Sequence, residues 1–163
     1  MEFLDGKFRQ KPLNYIIQCG IAAVVIGVLL TFVDLIQHTG LIAALGATTF
    51  MLFTMPHRVS SRARYIVGGY IISIIVGIAF RLVYDAVPAW HTEAGLAVSG
   101  GTAVGLSALL MAATNSEHPP GAGVALGLVL QPWDYPTVLF VMASVVVLCF
   151  ARQLLRRIMI DLL

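Results

Sequence analysis

Six apolar runs, separated by short polar turns, organise the chain. A helix needs about 20 apolar residues to cross a hydrocarbon core of roughly 30 Å. Tyr15–Val33 and Ala94–Ala113 meet that length, and the second carries no charge. Ile66–Phe80 is shorter and reaches Val83 once Arg81 snorkels to the interface. Leu41–Met55 stops at Pro56, Gly121–Gln131 is bracketed by Pro119–Pro120 and Pro132, and Pro136–Ala151 runs into Arg152. At about 1.5 Å per residue these last three fall short of a full crossing as helices. They are expected to tilt, to be extended by polar flanks, or to be half-membrane helices buried against neighbours. The pattern predicts an all-α fold, a polytopic transmembrane helical bundle of about six membrane segments.

Charge placement arranges these segments. If all of them cross, the N-terminal segment, the turn His57–Arg64, the turn Asn115–Pro120 and the C-terminal segment share one side. That side holds Lys7, Arg9, Lys11, Arg58, Arg62, Arg64, Arg152, Arg156 and Arg157, nine of the ten basic residues. The opposite turns hold Asp34, Asp85, Glu93 and Asp134, with no Lys or Arg. Cytoplasmic loops carry the Lys and Arg excess, so both termini are expected on the cytoplasmic side of an inner membrane. A re-entrant Leu41–Met55 would put Arg58–Arg64 outside, against that rule. Residues 1–14 then form a cytoplasmic segment, 15–151 the membrane domain, and 152–163 a basic cytoplasmic end continuing the last helix. Trp90, Trp133 and Tyr135 fall at outer belt positions. Arg81 is the basic residue out of place; Asp85 one turn on offers an i,i+4 partner, and an outer selectivity charge is the sharper reading.

Composition agrees with the pattern. Hydrophobic residues make up 59% of the 163 positions and charged residues only 11%, against about 25% in a soluble domain. A soluble chain this small has too much surface to remain so apolar. Cys19 and Cys149 sit inside uncharged runs with no metal or redox spacing, and are read as apolar packing residues. No metal or cofactor is implied. Glu2 and Asp5 among the first basic residues, with no small-residue cleavage site, argue for a retained first helix. No zinc-protease helix, phosphate-binding loop or nucleophile elbow occurs, so an enzyme is not expected. The topological placement of the basic residues argues against nucleic-acid binding.

Small residues allow helices to approach closely in lipid. Ala97, Gly101 and Gly105, Gly69, Ser73 and Gly77, and Gly123 and Gly127 are spaced by four and are expected to face other helices, within the chain or across a homo-oligomer. A weak parallel internal repeat is visible at an offset of 54, pairing Gly46-Ala47-Thr48 with Gly100-Gly101-Thr102, Leu52 with Leu106, and Gly69 with Gly123.

Two polar turns are the candidates for function. In Asn115-Ser116-Glu117-His118-Pro119-Pro120-Gly121 the prolines suit a helix start, and Ser116 or Asn115 could cap it. Such a start presents N–H groups and partial positive charge to an anion. His118 could bind an anion or shuttle a proton, and Glu117 could pair with an arginine or accept a proton. In the other turn, Ser60 or Ser61 could cap the next helix, while Arg58, Arg62 and Arg64 form an electropositive vestibule or contact membrane lipids. Thr48, Thr49, Ser99 and Thr102 could line a polar path, or bond their own backbone.

Glu117-His118-Pro119-Pro120-Gly121-Ala122 resembles the signature of the HPP family of integral membrane proteins. Ala43–Thr48 followed by Pro56, and Val67-Gly68-Gly69 onward, resemble that family's upstream elements, so the likeness covers roughly Tyr15 to Leu155. The resemblance implies a bundle usually described with four transmembrane helices. It also implies transport, since some plant plastid members are nitrite transporters; some bacterial members carry appended CBS domains. The leading expectation is therefore a transporter or channel for a small inorganic anion, nitrite first. The alternatives are a proton-coupled carrier or cation pathway using Glu117 and His118, and a non-transporting membrane scaffold.

Overall fold

The computed structural model describes residues 10–31 and 39–163. Lys7, Arg9, Asp34 and the end of the first apolar run lie outside the described residues. Six helices follow one another: α1 Pro12–Leu30, α2 Thr39–Thr54, α3 Ala63–Ala86, α4 Glu93–Ala113, α5 Pro119–Leu130 and α6 Tyr135–Leu155. No strand occurs among the described residues. Helices α1, α3, α4 and α6 are long and apolar enough to cross a membrane, whereas α2 and α5 are not. Four full-length helices and two short ones reconcile the expected six segments with the four helices of the resemblance.

Local chemistry sets the boundaries. Proline occupies the first turn of α1, α5 and α6, where a missing N–H costs nothing. Thr92 and Asp134 cap α4 and α6 by accepting from the N–H of Gly95 and Thr137. After α4, Asn115 takes φ 51°, a left-handed turn residue that reverses the chain.

The shortest helix is the most enclosed. Helix α5 packs against α2, α3 and α4, and buries Gly121, Val124, Ala125, Gly127, Leu128 and Val129 of its 12 residues. At about 1.5 Å per residue it is only ~18 Å long. It is too short to span a core of about 30 Å, so at least one end lies within that depth, where backbone groups must be covered by protein. Glycines permit the contact: a Cβ on Gly77 would come within 2.9 Å of the Ala125 carbonyl, and one on Gly40 within 3.3 Å of the Gly127 Cα. The small-residue faces of α3 and α5 thus meet other helices as expected. That of α4 meets no described helix of its own chain: Ala97, Gly101 and Gly105 are exposed, and Gly101 and Gly105 face open space. Helix α4 instead turns Ser99, Gly100, Ala103, Ser107 and Met111 inward.

By contrast, α1 buries only Gln18 and Leu29. Between those two points an apolar cleft of about 270 Å³ separates it from α2, lined by Ala22, Ile26, Gly46, Phe50 and Phe53 among others. Cys19 is exposed there rather than packed, while Cys149 on α6 is half-buried; both are free thiols.

Two expectations about the basic end are corrected. The last helix does not continue through the tail: α6 ends at Leu155, and the chain turns back to bury Met159 and Leu162. The tail is drawn there by the unpaired carbonyls of α2, whose helix Pro56 terminates. Leu162 N–H donates to Thr54 O at 2.7 Å, Gln18 Nε2 donates to Phe53 O and Ile160 O, and Tyr15 Oη donates to Leu162 O. Likewise Ser60 and Ser61 do not cap α3. Arg62 is its N-cap with no side-chain cap bond, and Ser61 Oγ instead donates to Met55 O at 2.7 Å. The proposed repeat is not matched by environment, since Thr48 is buried and Thr102 exposed.

Candidate functional site

The turn after α4 buries Ser116 and His118 and leaves Asn115, Glu117 and Pro119 exposed. It crosses α3 at Gly68 and Gly69, where an added Cβ would come within 2.9 Å of Ser116 Cβ and 2.6 Å of His118 Cβ. That crossing is about 8–9 Å along α3 from its first residue. Only glycine leaves room for the chain there, so the Gly68–Gly69 pair and the His-Pro-Pro turn form one structural unit.

His118 is 1% exposed. Its Nε2 lies 2.9 Å from Thr48 Oγ1 on α2, and the same hydroxyl lies 2.7 Å from Tyr70 Oη on α3 and 3.0 Å from Ala44 O. Either hydroxyl of the Thr48–Tyr70 pair can donate. Where Thr48 gives its one hydrogen to Ala44 O, Tyr70 and His118 Nε2–H both donate to it; where it donates to His118 Nε2, the histidine carries its hydrogen on Nδ1. Either way His118 Nδ1 is buried without a partner. The tyrosine and histidine rings also pack at 5.4 Å between centroids.

The expected N–H cradle at the start of α5 is absent. Pro119 and Pro120 have no N–H, and the Gly121 N–H is already bonded to His118 O at 2.8 Å. The N-cap is His118, with no side-chain cap bond, and not Ser116 or Asn115. Ser116 is buried and bonds Thr114 Oγ1 at 2.5 Å, whereas Asn115 is exposed. What remains at this helix start is the histidine ring.

A cleft of about 280 Å³ opens beside it, lined by Ala108 and Met111 of α4 and by Glu117, His118, Pro119 and Ala122. Glu117 is exposed; among the described residues the ion pair is Arg81–Asp85, at 2.9 Å, so Glu117 pairs with no described arginine. Arg81 also donates to Val129 O near the end of α5, a cation on helix carbonyls. Arg58, Arg62 and Arg64 do not line this cleft, so the vestibule expected over His118 is not formed. Arg62 instead joins His57, Arg152 and Arg156 around a separate cavity of about 510 Å³. Thr102 is exposed and donates to Val98 O, and Thr49 donates to Leu45 O, so neither faces a polar path.

The sequence reading passed over Tyr70 and Ser107, and took Ser73 only as a small packing residue. A lone tyrosine one residue after Gly69 in an apolar run was the available signal, because a buried phenol needs a partner. Buried side-chain atoms without partners among the described residues are the hydroxyls of Ser73, Ser99 and Ser107 and His118 Nδ1. They lie on α3, on α4 and at the head of α5, three helices that pack against one another.

These features define a class: a polytopic helical membrane protein built around a recessed His-Pro-Pro turn. The family model for the HPP transmembrane region matches residues 8–160, and the chain belongs to that family. A transmembrane protein of Dictyostelium discoideum is 33% identical over 100 residues, which is 60% of this chain and 33% of that protein. The match therefore spans a third of that relative's length. No solved structure matches the chain.

Proposed function

We propose that the protein moves a small inorganic anion across the membrane, nitrite first, along the seam between α3, α4 and α5. The observation that carries this reading is the set of buried polar atoms without partners, Ser73, Ser99 and Ser107 hydroxyls and His118 Nδ1. An unpaired buried hydroxyl costs about 1–3 kcal/mol, so a row of them in an apolar bundle calls for an occupant. All of them can donate, His118 in its Nδ1–H form, which suits a dehydrated anion. Membership of a family with nitrite-transporting members adds the substrate class. By the positive-inside rule the basic end faces the cytoplasm of an inner membrane. Lipids and further copies of the chain are the proposed partners, the outward face of Ala97, Gly101 and Gly105 being open to a second helix.

Nitrite uptake into proteoliposomes tests the proposal. Wild type exceeds empty liposomes, and His118→Ala and Ser107→Ala lose most of the flux while remaining folded. No uptake of any anion in a panel would sink it. A second reading, proton-coupled or cation transport, is favoured by Glu117 and His118 sharing one cleft. Under that reading the reversal potential follows the cation or proton gradient.

A further inference from the structure

The second cavity, at the basic end, has its own chemistry. Arg152 is 7% exposed, a guanidinium charge drawn into the bundle. Its Nε and Nη2 both donate to the carbonyl of Pro56, a neutral group. No carboxylate forms an ion pair with it among the described residues. Asp161 on the returning tail accepts instead from the His57 backbone N–H at 2.9 Å. Arg62 and Arg156 line the same cavity, are exposed, and add like charge rather than neutralising it. The wall is completed by Ala63, the first residue of α3, whose N-terminus has no side-chain cap.

Buried charges are normally paired, and truncation or isolation of one is costly. Three guanidinium groups converging on one cavity of about 510 Å³, against the single nearby carboxylate of Asp161, leave a local excess of positive charge. The uncapped start of a 24-residue helix adds N–H groups and the positive end of its dipole. Guanidinium forks match tetrahedral oxyanions. We infer that the cavity formed by His57, Arg62, Arg152, Arg156 and the start of α3 binds a phosphate group. It is distinct from the His118 cleft, with which it shares no lining residue. Two sources carry that chemistry, the headgroup of an anionic phospholipid and free inorganic phosphate.

Thermal melting of the purified full chain in uncharged detergent separates the sources. Added phosphatidylglycerol, phosphatidylcholine and inorganic phosphate are compared, with chloride matched for ionic strength. A rise in Tm with phosphatidylglycerol but not with the zwitterionic lipid or phosphate identifies a lipid headgroup site; a rise with phosphate identifies a soluble oxyanion site. In R62Q/R156Q the concentration giving half the shift increases roughly tenfold or more, from loss of two arginine contacts. Arg152 is left intact because it also holds Pro56. The inference is overturned if no phosphate-bearing compound raises Tm above the chloride control, or if R62Q/R156Q responds as wild type does. The assay reads stability, so its outcome is independent of any transport measurement.

Discussion

Pro56 ends one short helix and Pro119–Pro120 begin another, and the two breaks are finished in opposite ways. A helix C-terminus leaves carbonyls open and an N-terminus leaves N–H groups open. At the Pro56 break, donors from far along the chain are brought in: Gln18 to Phe53 O, Leu162 N–H to Thr54 O, and Arg152 to Pro56 O. At the Pro119–Pro120 break, the donors are removed by proline, and Gly121 N–H turns back onto His118 O. One end is completed by partners and the other by deletion. The difference leaves His118 Nδ1 as an unpartnered buried atom at the second break, with no free proline N–H beside it to compete for an approaching group.

The largest effect should come from filling the crossing under the His-Pro-Pro turn. Gly69→Val would place a side chain into His118 Cβ, Met111 Sδ and Ser116 O. Stability should fall by at least the ~1–3 kcal/mol of ordinary overpacking, with little folded protein recovered on size exclusion. Gly101→Val, in open space, should stay within about 0.5 kcal/mol of wild type. Next, Thr48→Val removes the hydroxyl shared by Tyr70 and His118 and should cost about 1–2 kcal/mol by denaturant titration. Thr102→Val, its counterpart at the repeat offset, should be near neutral, because that hydroxyl serves only its own helix.

At the other break, Gln18→Leu deletes bonds to Phe53 O, Ile160 O and Ile160 N–H. We expect a loss of about 1 kcal/mol, with amide exchange quickening selectively at Ile160 and Leu162. Smallest of all, Pro119→Ala restores a backbone donor at an exposed position, and should change Tm by the equivalent of under about 1 kcal/mol. If Pro119→Ala proved as damaging as Thr48→Val, removal of donors would be essential to the break rather than merely compatible with it.

The bundle was legible because its segments are set by local rules. Apolar length, proline and charge placement located all six helices to within a few residues, and the i,i+4 Arg81–Asp85 pair followed from spacing alone. The site was legible in part. His118 could be singled out from its neighbours, and Thr48 from its place beside Gly46. Their meeting across 70 residues of sequence depends on the tertiary packing of α2 against α5. The arginines misled for the same reason. Arg58, Arg62 and Arg64 are adjacent in sequence, but a helix start fans its side chains apart, and only Arg62 reaches the cavity shared with Arg152 and Arg156. The tail was misread because Arg152 to Leu155 does continue α6, and the pull of α2's open carbonyls on Leu162 has no local signature.

Helix α1 buries only Gln18 and Leu29, eleven residues apart; between them Ile21, Ala22, Val25 and Ile26 pack half-buried against the core beside the apolar cleft. At about 1.5 Å per residue that is a stretch of roughly 16 Å held by apolar contact alone. Near the start of α1 the hold is polar and directional, through Tyr15 and Gln18; beyond it the contact is apolar and without direction. A lateral load from the membrane is therefore expected to shift the later turns of α1 before it disturbs the register at Gln18. Helix α5, clasped on three sides, transmits such a load hardly at all.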